Sequence, residues 1–350
     1  MAKIVDIGGS PFARTSNVLG NLHDDLRKYV CLRDDAAVAV PLWVLHTYCV
    51  EASFISPRLA ITSPVKRCGK STLIDWLSTV VWRPMTSVNI SPAAVFRTVE
   101  AKRPTLLIDE ADRFLAKNNE LCGVLNSGHK ANGVVHRWDA LLKVLRDFST
   151  YSACALSLIG KLPGTLADRS IHARLRRRLP DEPIHSLRLD QGNPLADQCY
   201  KWAEDNINLL SREPDMPGEL TNRVADNWRP LLAIADQVGG DWPAMARAVA
   251  VSMTNDLDED DSPLVQLLAE IREIFKDRPW MGSKKLVAEL AAREMLMSEK
   301  SLALKLASFD IAPKQERRGK SIERGYRAEW FADAWARYLP TVTDVTDVTD

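Results

Sequence analysis

The string Ser63-Pro-Val-Lys-Arg-Cys-Gly-Lys-Ser-Thr72 carries the residue types that hold a polyphosphate. A phosphate-binding loop reads G-x-x-x-x-G-K-[ST] between a strand and a helix, and its backbone amides point at phosphate oxygens from the helix N-terminus. Gly69, Lys70 and Ser71 fill the last three positions. In that frame the amides of Cys68, Gly69, Lys70, Ser71 and Thr72 face the phosphates, Lys70 neutralises β/γ charge, and the Ser71 hydroxyl ligates magnesium. Pro64 stands where the first glycine belongs. Proline fixes φ and removes an amide donor, which predicts looser phosphate contact early in the loop. The alternative is a surface turn that happens to contain Gly-Lys-Ser.

A second acidic element gives the loop a context. Thr105-Leu-Leu-Ile-Asp109-Glu110 places two carboxylates at the end of an apolar run, with Asp109 lying 39 residues after Lys70. Such a run reads as a strand buried on both faces, and its carboxyl end is where a parallel sheet builds a site. Asp109 would hold magnesium through water, and Glu110 would polarise the attacking water as general base. The competing use of Asp-Glu here is to cap the following helix.

The elements that must position these groups alternate. Asn17 to Ser53 has helical apolar spacing. Leu59–Thr62 is a short strand, and Ser71–Val81 is an amphipathic helix. Val88–Ile90 reads as a strand, and Pro92–Glu100 as a helix capped by Ser91. Thr105–Asp109, Ala153–Ile159 and Ile171–Leu175 complete the strands. Strands separated by helices predict an α/β fold around a parallel sheet. Beyond Asp190 the pattern turns helical: Leu195–Arg212, then Ala225–Met253 broken at Gly239-Gly240. The acidic run 255–261 ends at Ser262-Pro263 and reads as a linker. Three short helices follow (Leu264–Phe275, Ser283–Glu294, Ser298–Ser308), then a basic hairpin over Ala312–Tyr326, a closing helix Trp330–Tyr338 and a low-complexity tail.

Composition limits the function classes. Forty-six Lys and Arg balance 46 Asp and Glu, and hydrophobic residues are 46% of 350, which suits a globular chain and excludes one that coats nucleic acid through bulk charge. The six cysteines show no CxxC or zinc spacing and are expected to be reduced. The six histidines show no HExxH pattern, and no G-x-S-x-G elbow is present. The most apolar stretch, Ala36 to Val50, is too short and too polar to span a bilayer. No membrane association and a cytoplasmic location are expected.

Local charge is another matter. Arg174, Arg176, Arg177 and Arg178 form a run free of acids. Between Pro313 and Arg327 six bases (Lys314, Arg317, Arg318, Lys320, Arg324, Arg327) meet only Glu316 and Glu323. Both segments are candidate DNA contacts. The second reads as the wing of a winged helix whose Ser298–Ser308 helix, with Lys300 and Lys305, would enter the major groove. A helical interaction module with a merely solvated hairpin is the alternative. Gly128–Gly133 with Arg137 is a third candidate, a hairpin lining a pore or an ordinary turn.

The pairing of SPVKRCGKST with TLLIDEAD resembles the AAA+ branch of P-loop ATPases. More narrowly, the chain resembles domain-of-unknown-function family 3631, found in phage, plasmid and integrated-element proteins and often joined to primase-like domains. The strings LWVLHTY, SPAAVFRTVE, LLIDEADRFL, LNSGHK, IGKLPGTLADRSI, RLRRR, NWRPLLAIADQVGGDWP and GYRAEWFADAWARYLP carry the likeness over roughly residues 18 to 340. The resemblance implies ATP and Mg2+ as cofactors, a homo-oligomeric ring acting on DNA in mobile-element replication, helicase-like, and a primase partner. The alternatives are an ATP-gated DNA-binding switch and a nucleotide-inactive interaction module. It implies Arg169 as an arginine finger for the neighbouring subunit, against a plain ion pair with Asp168. It makes Lys161 a candidate first sensor, although the usual residue there is a polar amide or hydroxyl, and Arg223 a second sensor at the nucleotide, against a plain surface charge. The expected organisation is an N-terminal helical segment (1–55), a P-loop core (56–190), a helical lid (191–255), an acidic linker (256–263), a winged-helix-like module (264–340) and a disordered tail (341–350).

Overall fold

Residues 58–63 carry the apolar Leu59, Ala60 and Ile61, residues 170–174 carry Ile171 and Ala173 between polar neighbours, and each segment follows a turn or a helix end. In the computed structural model both are strands of one parallel sheet. The structure describes residues 17–115, 118–139, 143–178, 182, 184–189, 192–258, 263–276, 278–307, 309, 311–318 and 321–339. Two compact units make up the chain, Met1–Asn255 and Asp256–Asp350.

In the first unit the order is α1 (Val18–Tyr29), α2 (Asp34–Tyr48), β1 (Arg58–Ser63), α3 (Lys70–Val80), β2 (Pro84–Ser87), α4 (Pro92–Lys102), β3 (Thr105–Ile108), α5 (Asn119–Ser127), β4 (Val134–Asp139), β5 (Val144–Ser149), β6 (Cys154–Ile159), α6 (Gly164–Ala167), β7 (Ser170–Arg174), α7 (Pro194–Asn206), α8 (Asn222–Val238) and α9 (Trp242–Asp258). Five of the strands form a wholly parallel sheet in the order β2-β3-β6-β1-β7. Alternate residues of the central strands β1, β3 and β6 feed two different cores, as the two-residue period of a strand requires. Leu59, Ile61, Leu107, Ala155 and Ile171 pack with α1, α2, α3, α7, α8 and α9. Ala60, Leu106, Ile108, Cys154 and Leu156 pack with α4, α5 and α6. The expected α/β fold with a parallel sheet is what the chain adopts.

Helix α2 explains the long apolar stretch near the N-terminus. Residues 36–47 are all buried, so it is a central core helix without a polar face. Among the described residues no helix is long and apolar enough to cross a membrane.

Several boundaries differ from the sequence reading. The helix expected over 17–53 is two helices, parted where Leu32 leaves helical geometry to bridge Leu175. The strand expected at Val88–Ile90 lies earlier, at Pro84–Ser87, because Ser87 is the residue paired with Ile108 at the end of β3, and Val88 is 63% exposed. The first of the helices after Asp190 ends at Asn206. The expected linker is helical up to Asp258, with 259–262 outside the described residues. The tail 341–350 also lies outside them.

The second unit contains α10 (Pro263–Phe275), β8 (Trp280–Gly282), α11 (Ser283–Ala291), α12 (Glu299–Ala307), β9 (Lys314–Arg318), β10 (Ser321–Arg327) and α13 (Ala332–Tyr338). Its three strands form an antiparallel sheet, β8-β10-β9. Phe275, Phe331, Tyr326, Leu286, Leu302 and Leu306 make the core. Gly325 is required there: a Cβ would lie 2.3 Å from the Met281 carbonyl oxygen. The basic hairpin expected over 312–326 is β9–β10, in register Arg317↔Ile322.

Candidate functional site

Strand β1 ends at Ser63, and residues 64–69 turn at the carboxyl end of the sheet before α3 begins at Lys70. The turn uses two left-handed residues, Arg67 (φ 66°) and Gly69 (φ 84°). Gly69 is the N-cap of α3. The glycine there is demanded by its φ; a side chain at Arg67 costs about 1 kcal/mol or more of strain. The Lys70 ammonium donates to Ser63 Oγ at 2.7 Å, and that hydroxyl donates to the Val65 carbonyl at 2.7 Å. Ser63 was not singled out by the sequence, since a serine before Pro64 looks like a turn residue. Pro64 is exposed, and Cys68 is buried with its thiol 3.4 Å from the Val65 carbonyl.

The acidic strand meets this loop. The Ser71 hydroxyl donates to Asp109 Oδ2 at 2.8 Å, and Asp109 Oδ1 accepts the Glu110 amide at 2.8 Å. Glu110 sits in left-handed backbone (φ 54°) directly after β3 and is ion-paired with Arg113 at 2.6 Å. Asp109 and burial both hold the Asp75 carboxyl above its usual range, burial contributing more. Strand β6 lies between β1 and β3, and its end closes the group: the Gly160 amide donates to the Ser63 carbonyl at 3.0 Å, which puts Lys161 beside the loop. Gly69, Lys70, Ser71, Thr72, Asp109 and Glu110 are thus gathered at one end of the sheet. The oxygens of Ser71 and Asp109 are hard donors of the kind magnesium takes. Among the described residues no cluster of three His, Cys, Asp or Glu stands ready to hold a metal unaided.

Arg169 and Arg223 are elsewhere. The Arg58 amide donates to the Arg169 carbonyl at 2.8 Å, so Arg169 lies at the start of β1, one strand length (about 16 Å) from Ser63. Arg223 pairs with Asp168 at 3.0 Å at that same end. The expectation that Arg223 touches the nucleotide of its own subunit is therefore corrected. Arg223 lies in the first turn of α8, which the Arg223–Asp168 pair and the Asn227 bond to the Asp168 carbonyl hold at the amino end of the sheet.

This far end holds a buried polar knot that the sequence did not reveal. Arg58, 1% exposed, donates to the carbonyls of Ser152 and, at 2.7 Å, Leu125. His129 Nε2 lies 2.8 Å from Asn227 Oδ1, and Asn227 Nδ2 donates to the Asp168 carbonyl at 2.9 Å. His46 Nε2 lies 3.1 Å from Ser56 Oγ. Burial and the neighbouring Arg58 keep both imidazoles neutral, lowering His46 to about 3 and His129 to about 4. The turn before the β4–β5 hairpin is held to residues 54–56 by the Ser56 amide on the His129 carbonyl and the Ala131 amide on the Phe54 carbonyl, and at Gly133 a Cβ would lie 1.9 Å from the Ser127 carbonyl oxygen. The turn at 128–133 thus opens a real hairpin, which displays Trp138 (65% exposed) beside Arg137; residues 140–142 at its tip lie outside the described residues.

The two basic segments have different surroundings. Arg174 is in register with Thr62, the residue before Ser63, so Arg174–Arg178 runs alongside the phosphate loop. In the second unit Arg327 is held by Glu316 at 2.6 Å and Lys314 lies over the Trp330 ring, while Arg317 and Arg324 are exposed. Lys320 lies outside the described residues.

Fold and site together define an α/β protein with a parallel sheet and a loop–acid pair at its carboxyl end. Residues 174–338 match the family described as "Protein of unknown function (DUF3631)". The chain is 33% identical over 184 residues to an "Uncharacterized 28.9 kDa protein in xis 5'region" of Saccharopolyspora erythraea, covering 47% of this chain and 69% of that protein. The chain belongs to this family. Among solved structures it is similar to the NrS-1 C-terminal region in its apo A form, with a TM-score of 0.42 at 10% identity, over 91% of this chain and 78% of the other. It is also similar to the Aeropyrum pernix ORC2 protein in ADPNP and ADP complexes, with a TM-score of 0.25 at 11% identity, over 86% and 92%.

Proposed function

We propose that this chain is a Mg2+-dependent ATPase of the AAA+ P-loop type, working on DNA as a homo-oligomeric ring, helicase-like, in replication of a mobile element with a primase partner. The observation that carries the reading is the convergence of Lys70, Ser71, Asp109 and Glu110 at the carboxyl ends of β1 and β3. Bound ATP with its magnesium supplies the phosphoanhydride and the charge that the site is built to meet. Lys70, turned from Ser63, neutralises phosphate oxygens; Ser71 Oγ and Asp109 would hold the cation; the Glu110 carboxylate takes the proton of the attacking water. The remaining amides of residues 68–72, at the N-terminus of α3, face the phosphates.

Arg169 supports the oligomer. In its own subunit it is a strand length from Lys70, so a role as finger requires the neighbour's site, with Arg223 and Asp168 on the same surface. Burial first, then Arg223, lowers Arg169 from its ordinary value. The exposed Trp138 on the β4–β5 hairpin, and Arg317 and Arg324 on the wing, are the surfaces we assign to DNA: stacking from the first, phosphate contact from the second. The second reading, an ATP-gated DNA switch without unwinding, draws on Pro64, which removes an amide from the loop.

The test is ATP hydrolysis with and without single-stranded DNA. Lys70→Ala and Arg169→Ala should each lose activity by about a hundredfold or more, and mixing the two should restore part of it, because one intact site then meets one intact finger. Hydrolysis by Lys70→Ala at the wild-type rate would remove the site; failure of mixing to rescue would remove the trans finger. Strand displacement separates the helicase from the switch.

A further inference from the structure

We propose that Arg177 is a ligand of the nucleotide polyphosphate rather than a DNA contact. The inference rests on the phosphate-loop reading above and adds a residue to that site. Three observations carry it. Strand β7 is the parallel neighbour of β1, with Thr62 paired to Arg174, so the chain leaving β7 emerges at the same end of the sheet as the chain leaving β1. The Leu175 amide donates to the Thr62 carbonyl at 2.7 Å, and Arg177 Nη2 reaches the Lys66 carbonyl at 3.4 Å, which lays the basic run along the loop. Arg176 is neutralised by Glu182 at 3.2 Å and Arg178 turns back to the Glu182 carbonyl at 3.0 Å, whereas the exposed Arg177 reaches a carbonyl of the loop itself and carries a charge that this neutral partner leaves uncompensated.

The chemistry fits the departure in the loop. Pro64 removes one amide donor from the cradle, and the left-handed Arg67 and exposed Lys66 give the loop charge in place of glycine flexibility. A guanidinium carries a fixed positive charge and a planar fork that grips two phosphate oxygens, so Arg177 can replace an amide contact with a stronger one. A nucleoside triphosphate, with its densely charged chain, is the ligand such a surface selects. A DNA backbone would instead meet the run from solvent, with no call for its register against Thr62.

The experiment measures equilibrium binding of ATP with Mg2+, and separately of a fluorescent single-stranded oligonucleotide, to the full chain. Arg177→Ala should weaken ATP by about tenfold and Arg177→Lys by less, both with wild-type oligonucleotide affinity, while Arg178→Ala leaves ATP unchanged. A folded Arg177→Ala protein that keeps ATP affinity within twofold, or loses oligonucleotide instead, overturns the inference while leaving the loop reading intact. Wild-type protein that binds no ATP overturns the loop reading itself.

Discussion

The two ends of the parallel sheet are built on opposite principles. At the carboxyl end the polar groups are half-exposed, mutually bonded through single contacts and rich in cations: Lys66, Arg67, Lys70 and Arg177 around one Ser71–Asp109 pair. At the amino end Arg58, His46, His129 and Asn227 are all buried: Arg58 and Asn227 donate to backbone carbonyls, His129 pairs with Asn227, and His46 meets the Ser56 hydroxyl. The first arrangement leaves its charge available to a ligand. The second spends its polarity inside the protein, where a charge with no carboxylate partner among the described residues is held only by carbonyl dipoles. It fixes the hairpin, the start of α8 and the segment bearing Arg169 relative to one another. We read the difference as a division of labour, with an open end that binds and a rigid end that positions.

The largest way to break that comparison is at the rigid end. Arg58→Ala removes a fully buried side chain and orphans the carbonyls of Leu125 and Ser152, and it should cost about 3–5 kcal/mol in chemical denaturation. A loss near 1 kcal/mol would mean the knot is dispensable. A smaller effect lies in pH. His46 and His129 have folded values of about 3 and about 4 against an ordinary 6.5, so the unfolded chain binds protons first. Their stabilisation is therefore complete above about pH 6.5 and is lost as pH falls toward 4, on the order of 1–2 kcal/mol per histidine between pH 7 and 5. His129→Gln should flatten that slope by its share in urea titrations, and an unchanged slope would contradict the buried neutral imidazole.

The same contrast decides what could be read from sequence. The open end was legible because its donors are contiguous: Gly69, Lys70 and Ser71 adjoin, and Asp109 closes an apolar run whose four residues could only be a buried strand. The rigid end was illegible because its partners are joined by folding alone. His129 and Asn227 are 98 residues apart, Arg58 and Ser152 94 apart, and none stands in a motif. Arg223 was misplaced for a related reason, since the sequence says that a helix begins near it but not at which end of the sheet. The hairpin β4–β5 was only half anticipated, because charged side chains occupy both of its faces, His136 and Asp147 on one and Arg137, Asp139 and Arg146 on the other, and dilute its apolar signal. The matched family span starts at Arg174, after the loop, the acidic strand and Arg169, so those residues stand on their own geometry.

The central claim is that the open end binds ATP with magnesium. Calorimetric titration of the full chain with ATP, with and without Mg2+ and alongside Lys70→Ala, tests it most directly. The account predicts saturable, magnesium-dependent binding that raises the melting temperature and that Lys70→Ala weakens by about tenfold or more. Wild-type protein that binds no ATP at millimolar concentration, or a Lys70→Ala protein that binds it equally well, would contradict the account.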